Sequence, residues 1–167
     1  MKIKAIAVAI AVSSVLSLGA AMAIAPATAD TATNRTKGAT TGHNPFNGGF
    51  EGYCTWGAQE QIHAHTGYYV TALTGNAENW ANQARTAGWT VVSEAEPSSI
   101  AVYSSALVGG VGHVAWVEAV DGWDMTITEM NFGSGATAAN GYRTTGFREF
   151  DTRTVHSVPG MSYILIP

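Results

Sequence analysis

Helix-patterned segments come first in this chain and strand-patterned runs follow, and that order limits the fold more than any other feature of the sequence. Cys54 to Thr66 has helical composition (Ala58, Gln59, Glu60, Gln61, Ile62, Ala64) and ends at Thr66-Gly67, a common C-terminal stop. Asn76 to Ala87 predicts a second helix, with Asn76 as N-cap, Glu78 early, Trp80, Ala81 and Ala84 at helical spacing, and Gly88 as terminator. Downstream, strands are expected at Thr90 to Ser93, Ile100 to Tyr103, His113 to Val120, Met125 to Asn131, around Gly146 to Phe150, and Met161 to Ile166. Helices followed by strands predict an α+β domain whose N-terminal helices pack on an antiparallel sheet.

The chain has 167 residues, and its start reads as an export signal rather than as fold. Lys2 and Lys4 precede an uncharged apolar run from Ala5 to Ile24, and small-x-small sites are available at Ala21-Met22-Ala23 and Ala27-Thr28-Ala29. The second site is preferred because Asp30 then opens a polar stretch, giving a signal peptide over 1–29. The competing reading is an uncleaved anchor, since the run approaches the roughly 20 residues that span a bilayer. No cysteine precedes Cys54, so a lipid anchor at the cleavage site lacks its attachment atom. Residues 30–49, rich in Thr, Asn and Gly, are expected to be a flexible leader, and 50–167 the single folded domain. Losing Lys2 and Lys4 moves the formal charge from -4 to -6, because no acid lies before Asp30. That balance argues against a nucleic-acid partner. A secreted monomer without stable membrane association is expected after cleavage.

The chain holds one cysteine, so an internal disulfide is impossible, and Cys54 is a buried small side chain, an intermolecular link or a working thiol. Thiol catalysis needs a thiolate, an imidazole in reach and a polar group that orients the imidazole. A helix start favours thiolate over thiol, and Cys54 follows Gly52-Tyr53 at such a start. Of the five histidines, His43 lies in the leader, and His63 and His65 point away from each other on one helix, which disfavours a shared metal. His113 opens a strand after Gly109-Gly110-Val111-Gly112, a loop that admits close approach by another element. A lone strand histidine is more often structural, so its neighbours must decide.

Those neighbours carry a resemblance. Gly52-Tyr53-Cys54-Thr55-Trp56, Asn76-Ala77-Glu78-Asn79-Trp80-Ala81, Gly112-His113-Val114-Ala115-Trp116-Val117-Glu118 and Thr128-Glu129-Met130-Asn131-Phe132-Gly133 together resemble the CHAP domain family of cysteine, histidine-dependent amidohydrolases and peptidases, which includes secreted staphylococcal antigens. The resemblance runs in the same order from about Phe50 to the C-terminus. It implies a papain-like α+β fold, bacterial peptidoglycan as substrate, Cys54 as nucleophile, His113 as general base, Glu129 as orienting carboxylate and Asn131 as a further site residue. Amidase and endopeptidase action are both compatible with it. The family usually has an amide side chain where this chain has Tyr53, leaving the backbone NH of Cys54 as the oxyanion donor. The segment Pro97-Ser98-Ser99 also lacks the glycine that the family tends to place after its proline.

Alternation alone sets a condition on the site. His113, Ala115 and Val117 share one strand face, as do Met125, Ile127, Glu129 and Asn131, and the Cys54 helix is expected on the face showing Ala115, Val117 and Ile127. A two-residue Asp121-Gly122 turn would put His113 opposite Met130 and send Glu129 to the wrong face. An odd loop is therefore expected, either Asp121 to Trp123, pairing His113 with Asn131, or Val120 to Asp124. Taken singly, Glu129 could be a solvated strand carboxylate and Asn131 a turn residue. Most of the five tryptophans are expected in the core. Gly133-Ser134-Gly135-Ala136-Thr137-Ala138 is only a loose dinucleotide pattern, interrupted by Asn140-Gly141, so no cofactor is expected, and no metal ligand set is evident. A secreted wall-associated antigen or binding protein without turnover is the alternative function, and a metal-dependent wall hydrolase a third.

Overall fold

The computed structural model describes residues 33–167; the expected signal peptide over 1–29 lies outside them. In chain order the elements are β1 (Thr40–Thr41), α1 (Cys54–Thr66), β2 (Tyr69–Val70), α2 (Trp80–Thr86), β3 (Val91–Val92), β4 (Ser99–Tyr103), α3 (Ser105–Val108), β5 (His113–Asp121), β6 (Asp124–Met130), β7 (Phe150–His156) and β8 (Ser162–Leu165). β1 and β2 form a small pair, and the main antiparallel sheet has the order β3-β8-β4-β5-β6-β7. This is the expected α+β architecture. α1 ends where its sequence says, at Gly67 in the left-handed region with its NH on the His63 carbonyl. The second helical segment divides into a 3-10 turn, Ala77–Asn79, and α2.

The sheet buries both faces, by different means. Ile100, Val102, Val114, Trp116 and Ile164 face α1 and α2, meeting Ala58, Ile62, Trp80 and Ala84. Ala101, Ala115, Val117, Met125, Ile127 and Tyr163 form a second core with Val155. Because Val155 and Tyr163 belong to β7 and β8, which are not neighbours, the sheet curls until these strands meet, and Ser157 and Tyr163 share a hydrogen bond at 2.6 Å.

This corrects the expected position of the helix. α1 lies on the Val114 and Trp116 face, not the face with Ala115, Val117 and Ile127. The small side chains at Ala101 and Ala115 fit the concave side of a curled sheet. Close approach of the helix is provided by its own Gly57, where a Cβ would sit 2.6 Å from the Met130 Cβ.

The hairpin between β5 and β6 reaches the required phase by another route. Asp121 pairs with Asp124 across a two-residue Gly122-Trp123 turn, with Gly122 at φ +61°. A bulge at Glu118 then shifts the ladder by one, so that Val117 pairs with Ile127 and Trp116 with Thr128. Continued to the strand ends, that register sets His113 opposite Asn131. The odd loop was the wrong device; a bulge supplies the odd residue instead.

Two further expectations change. Residues 33–49 are docked, not loose: Phe46 and Asn44 are buried, and Arg35 donates to the carbonyls of Pro97, Ser98 and Ile166. The strand expected near Gly146 to Phe150 begins instead at Phe150 and runs to His156. Its mostly exposed edge position lets it remain polar, which hid it from a search for apolar runs. Ser98, in the segment lacking the family's glycine, itself takes a left-handed conformation at φ 55°.

Candidate active site

Cys54 is the first residue of α1, with Tyr53 extended before it and no acid in the first turn. The NH groups of that turn lack intrahelical acceptors and point their positive ends beyond the helix start. Cys54 is 6 % exposed and lines an open cleft of about 860 Å³ with His113, Glu129, Asn131 and Arg153.

His113 reaches this cleft as the first residue of β5. The turn before it is fixed by Gly112, at φ +78°, where a Cβ would lie 2.5 Å from the Tyr103 carbonyl oxygen and 2.8 Å from the Glu78 nitrogen. The Glu78 NH also donates to the Val111 carbonyl at 3.1 Å. The glycine loop thus seats the 3-10 turn against the histidine. The position of His113 as the first residue of a central strand reconciles its alternation with a helix on the other face: it stands at the end of the strand rather than under the sheet.

Its Nε2 lies 2.6 Å from Glu129 Oε2. Glu129 is almost completely buried, with Arg153 Nε donating to its other oxygen, Oε1, at 2.5 Å. Burial opposes the charged form of His113, but hydrogen bonding to and the charge of Cys54, followed by those of Glu129, push its pKa up to about 10. Burial would raise the Glu129 pKa, yet the bonds from His113 and Arg153 outweigh it and hold the carboxyl below its usual range. The result is an acid-base row Cys54, His113, Glu129, Arg153, drawn from α1, β5, β6 and β7.

Asn131 also lines the cleft, but its side chain is engaged elsewhere. Its Nδ2 donates to the Tyr142 carbonyl at 3.0 Å, and its Oδ1 accepts from the Thr144 NH at 2.9 Å. It thereby holds the connection between β6 and β7, which forms one wall of the cleft. Tyr53 turns toward that same wall, its ring edge-on to Phe147 at 5.1 Å. Of the tryptophans, Trp80, Trp89 and Trp116 are in the core, whereas Trp123 projects from the hairpin turn.

Arg153 was missed by sequence reasoning. Its signal was the alternation Asp151, Arg153, Val155, visible only once β7 is known to pair with β6. Among the described residues no cluster of three or more His, Cys, Asp or Glu side chains has the arrangement of a metal site.

A helix that delivers a cysteine from its first turn to the end of an antiparallel sheet defines the papain-like α+β class. Within that class the chain belongs to the CHAP domain family, which matches residues 27–131. Among curated relatives, staphylococcal secretory antigen ssaA2 of Staphylococcus aureus is 34% identical over 99 residues, covering 59% of this chain and 33% of that protein. Staphylococcal secretory antigen SsaA of Staphylococcus epidermidis is 36% identical over 86 residues, 51% of this chain and 31% of that one. The chain therefore spans about a third of the length of these relatives. Among solved structures, an N-acetylmuramoyl-L-alanine amidase from Staphylococcus aureus shares the fold, with a TM-score of 0.54, 24% identity, and coverage of 70% of this chain and 31% of the amidase.

Proposed function

We propose that this protein is a secreted peptidoglycan hydrolase that cleaves an amide bond of the wall peptide through Cys54, His113 and Glu129. The observation that carries this reading is the row of groups in one open cleft: a helix-start cysteine, a histidine with a raised pKa, and a buried carboxylate on the histidine's far nitrogen. The named activity of the structurally similar amidase and the secretory names of the relatives point in the same direction.

In this mechanism Cys54 attacks as thiolate, forming a C–S bond at the substrate carbonyl, while backbone NH groups at the start of α1, that of Cys54 among them, face the developing oxyanion. His113, already imidazolium beside the thiolate, gives its proton to the leaving nitrogen as the C–N bond breaks. It then takes a proton from the water that attacks the thioester. A C–O bond forms, the C–S bond breaks and the thiolate is restored. Glu129 orients the ring and balances the imidazolium, and Asn131 positions the cleft wall.

The test is purified protein on a turbid peptidoglycan suspension. Clearing with new amino groups and without new reducing sugar ends is the expected result, abolished by Cys54→Ala. Reducing ends as the main product would exclude amide cleavage. An inert wild type whose thiol resists iodoacetamide below pH 7 would favour the antigen or binding reading without turnover.

A further inference from the structure

Arg153 uses only part of its hydrogen-bonding capacity on Glu129. Its Nε donates to the carboxylate, whereas among the described residues no protein acceptor takes Nη1 or Nη2. Its side chain is 52% exposed although the carboxylate it holds is 1% exposed, so the guanidinium spans from buried charge to open cleft. It is the only lysine or arginine among the described residues lining that cleft, whose walls are otherwise largely aromatic, small or neutral, as at Phe46, Phe50, Phe132 and Tyr142. Asp151, on the same face of β7, acts on Arg153 only as a charge. Arg153 also lies beyond residues 27–131, the span matched by the family.

A guanidinium presents paired NH groups that match a carboxylate, and a half-exposed one keeps them available to a ligand. We infer that Arg153 is a carboxylate-binding subsite: its Nε edge holds Glu129 while its Nη edge takes a free carboxylate of the peptide substrate close to the scissile amide. This rests on the reading of the cleft as a wall-peptide site. Substrate recognition and orientation of His113 then meet at one side chain, and walls whose peptide carboxyls are amidated are poorer ligands than walls whose carboxyls are free.

The test is equilibrium binding to the full chain carrying Cys54→Ala, so that affinity is read without turnover. The probes are synthetic wall tetrapeptides in acid and carboxamide forms, varied separately at the glutamyl carboxyl and at the C-terminus. At one of these positions the acid should bind about tenfold tighter than the amide, with a difference that shrinks as salt is raised. Arg153→Gln should erase the difference and Arg153→Lys should retain part of it. Because Arg153→Gln strips a buried carboxylate of its cation, Glu129→Gln/Arg153→Gln is measured beside it, with circular dichroism verifying that each folds. Equal affinity for acid and amide at both positions, no binding of either form, or a preference that survives removal of Arg153 would overturn the subsite. Wall clearing by the chain with Cys54 intact judges hydrolysis separately: clearing without acid preference removes the subsite alone, and acid preference without clearing removes the hydrolytic reading alone.

Discussion

The proposed mechanism depends on a proton held between Cys54 and Glu129 on the ring of His113. Its raised pKa of about 10 means that the imidazolium persists through neutral pH, so activity should be lost on the alkaline side only as pH rises toward that value. Glu129→Gln removes one of the two groups that hold the proton. The alkaline limb of kcat/KM should therefore move to lower pH, and the rate should drop by about 10- to 10³-fold on the general acid-base scale. A pH-rate profile measures both; an unmoved limb would leave Glu129 without its assigned part. Cys54→Ala and His113→Ala should each cost about 10⁴-fold or more, and the double variant scarcely more than either, because the groups act as one unit. Additive losses in single-turnover assays would show that they do not.

Secondary-structure elements hold these residues in place through a few close contacts. At Gly57 a Cβ would lie 2.6 Å from the Met130 Cβ and 3.3 Å from the Met130 sulfur and a Phe150 ring carbon. Gly57→Ala gains about 1 kcal/mol of helix propensity, but overpacking of this kind costs about 1–3 kcal/mol. The net effect should be a lower urea midpoint, with a fall in kcat as α1 and Cys54 move off the sheet. Deleting Glu118 removes the bulge yet leaves Val117 opposite Ile127, so the phase of His113 against Glu129 is kept and wall clearing should survive. Deleting Ala119 as well should pair Val117 with Thr126 and set His113 opposite Met130, reversing the phase and abolishing activity. α1 and the central strands were legible in the sequence because they carry strong local signals: Gly67 after the helix, continuous apolar runs in β4 and β5, and apolar alternation in β6. The bulge was not, since Glu118 differs from a ladder residue only in which partner it faces. The helix-bearing face was misread for a related reason: His113 and Ala115 alternate together, but only Ala115 lies inside the curl. Cys54, His113 and Glu129 could be proposed from motifs and parity, whereas Arg153 depended on a strand pairing with no sequence signature.

At the scale of the whole molecule, the docked segment before α1 is part of the folded body. Phe46 is 5% exposed and belongs to the helix-side core, Asn44 donates to Glu60 at 2.7 Å, and Arg35 joins the turn before β4 to the end of β8. Burying a phenylalanine is worth about 1.5–3 kcal/mol, so a chain beginning at Phe50 should be less stable by about 3 kcal/mol or more once the polar ties are included. Thermal unfolding of chains beginning at Thr33 and at Phe50 checks this; equal midpoints would make the segment a passive leader after all.

The place of β8 has a consequence for when this protein can fold. The strand formed last in the chain is inserted between β3 and β4 in the interior of the sheet, not added at an edge. Nascent chains lacking Ser162–Leu165 cannot join β3 to β4, so closure of the sheet waits for these residues and for contacts spanning most of the domain. High contact order of this kind slows folding. Until the sheet closes, the domain stays open to whatever acts on incompletely folded chains.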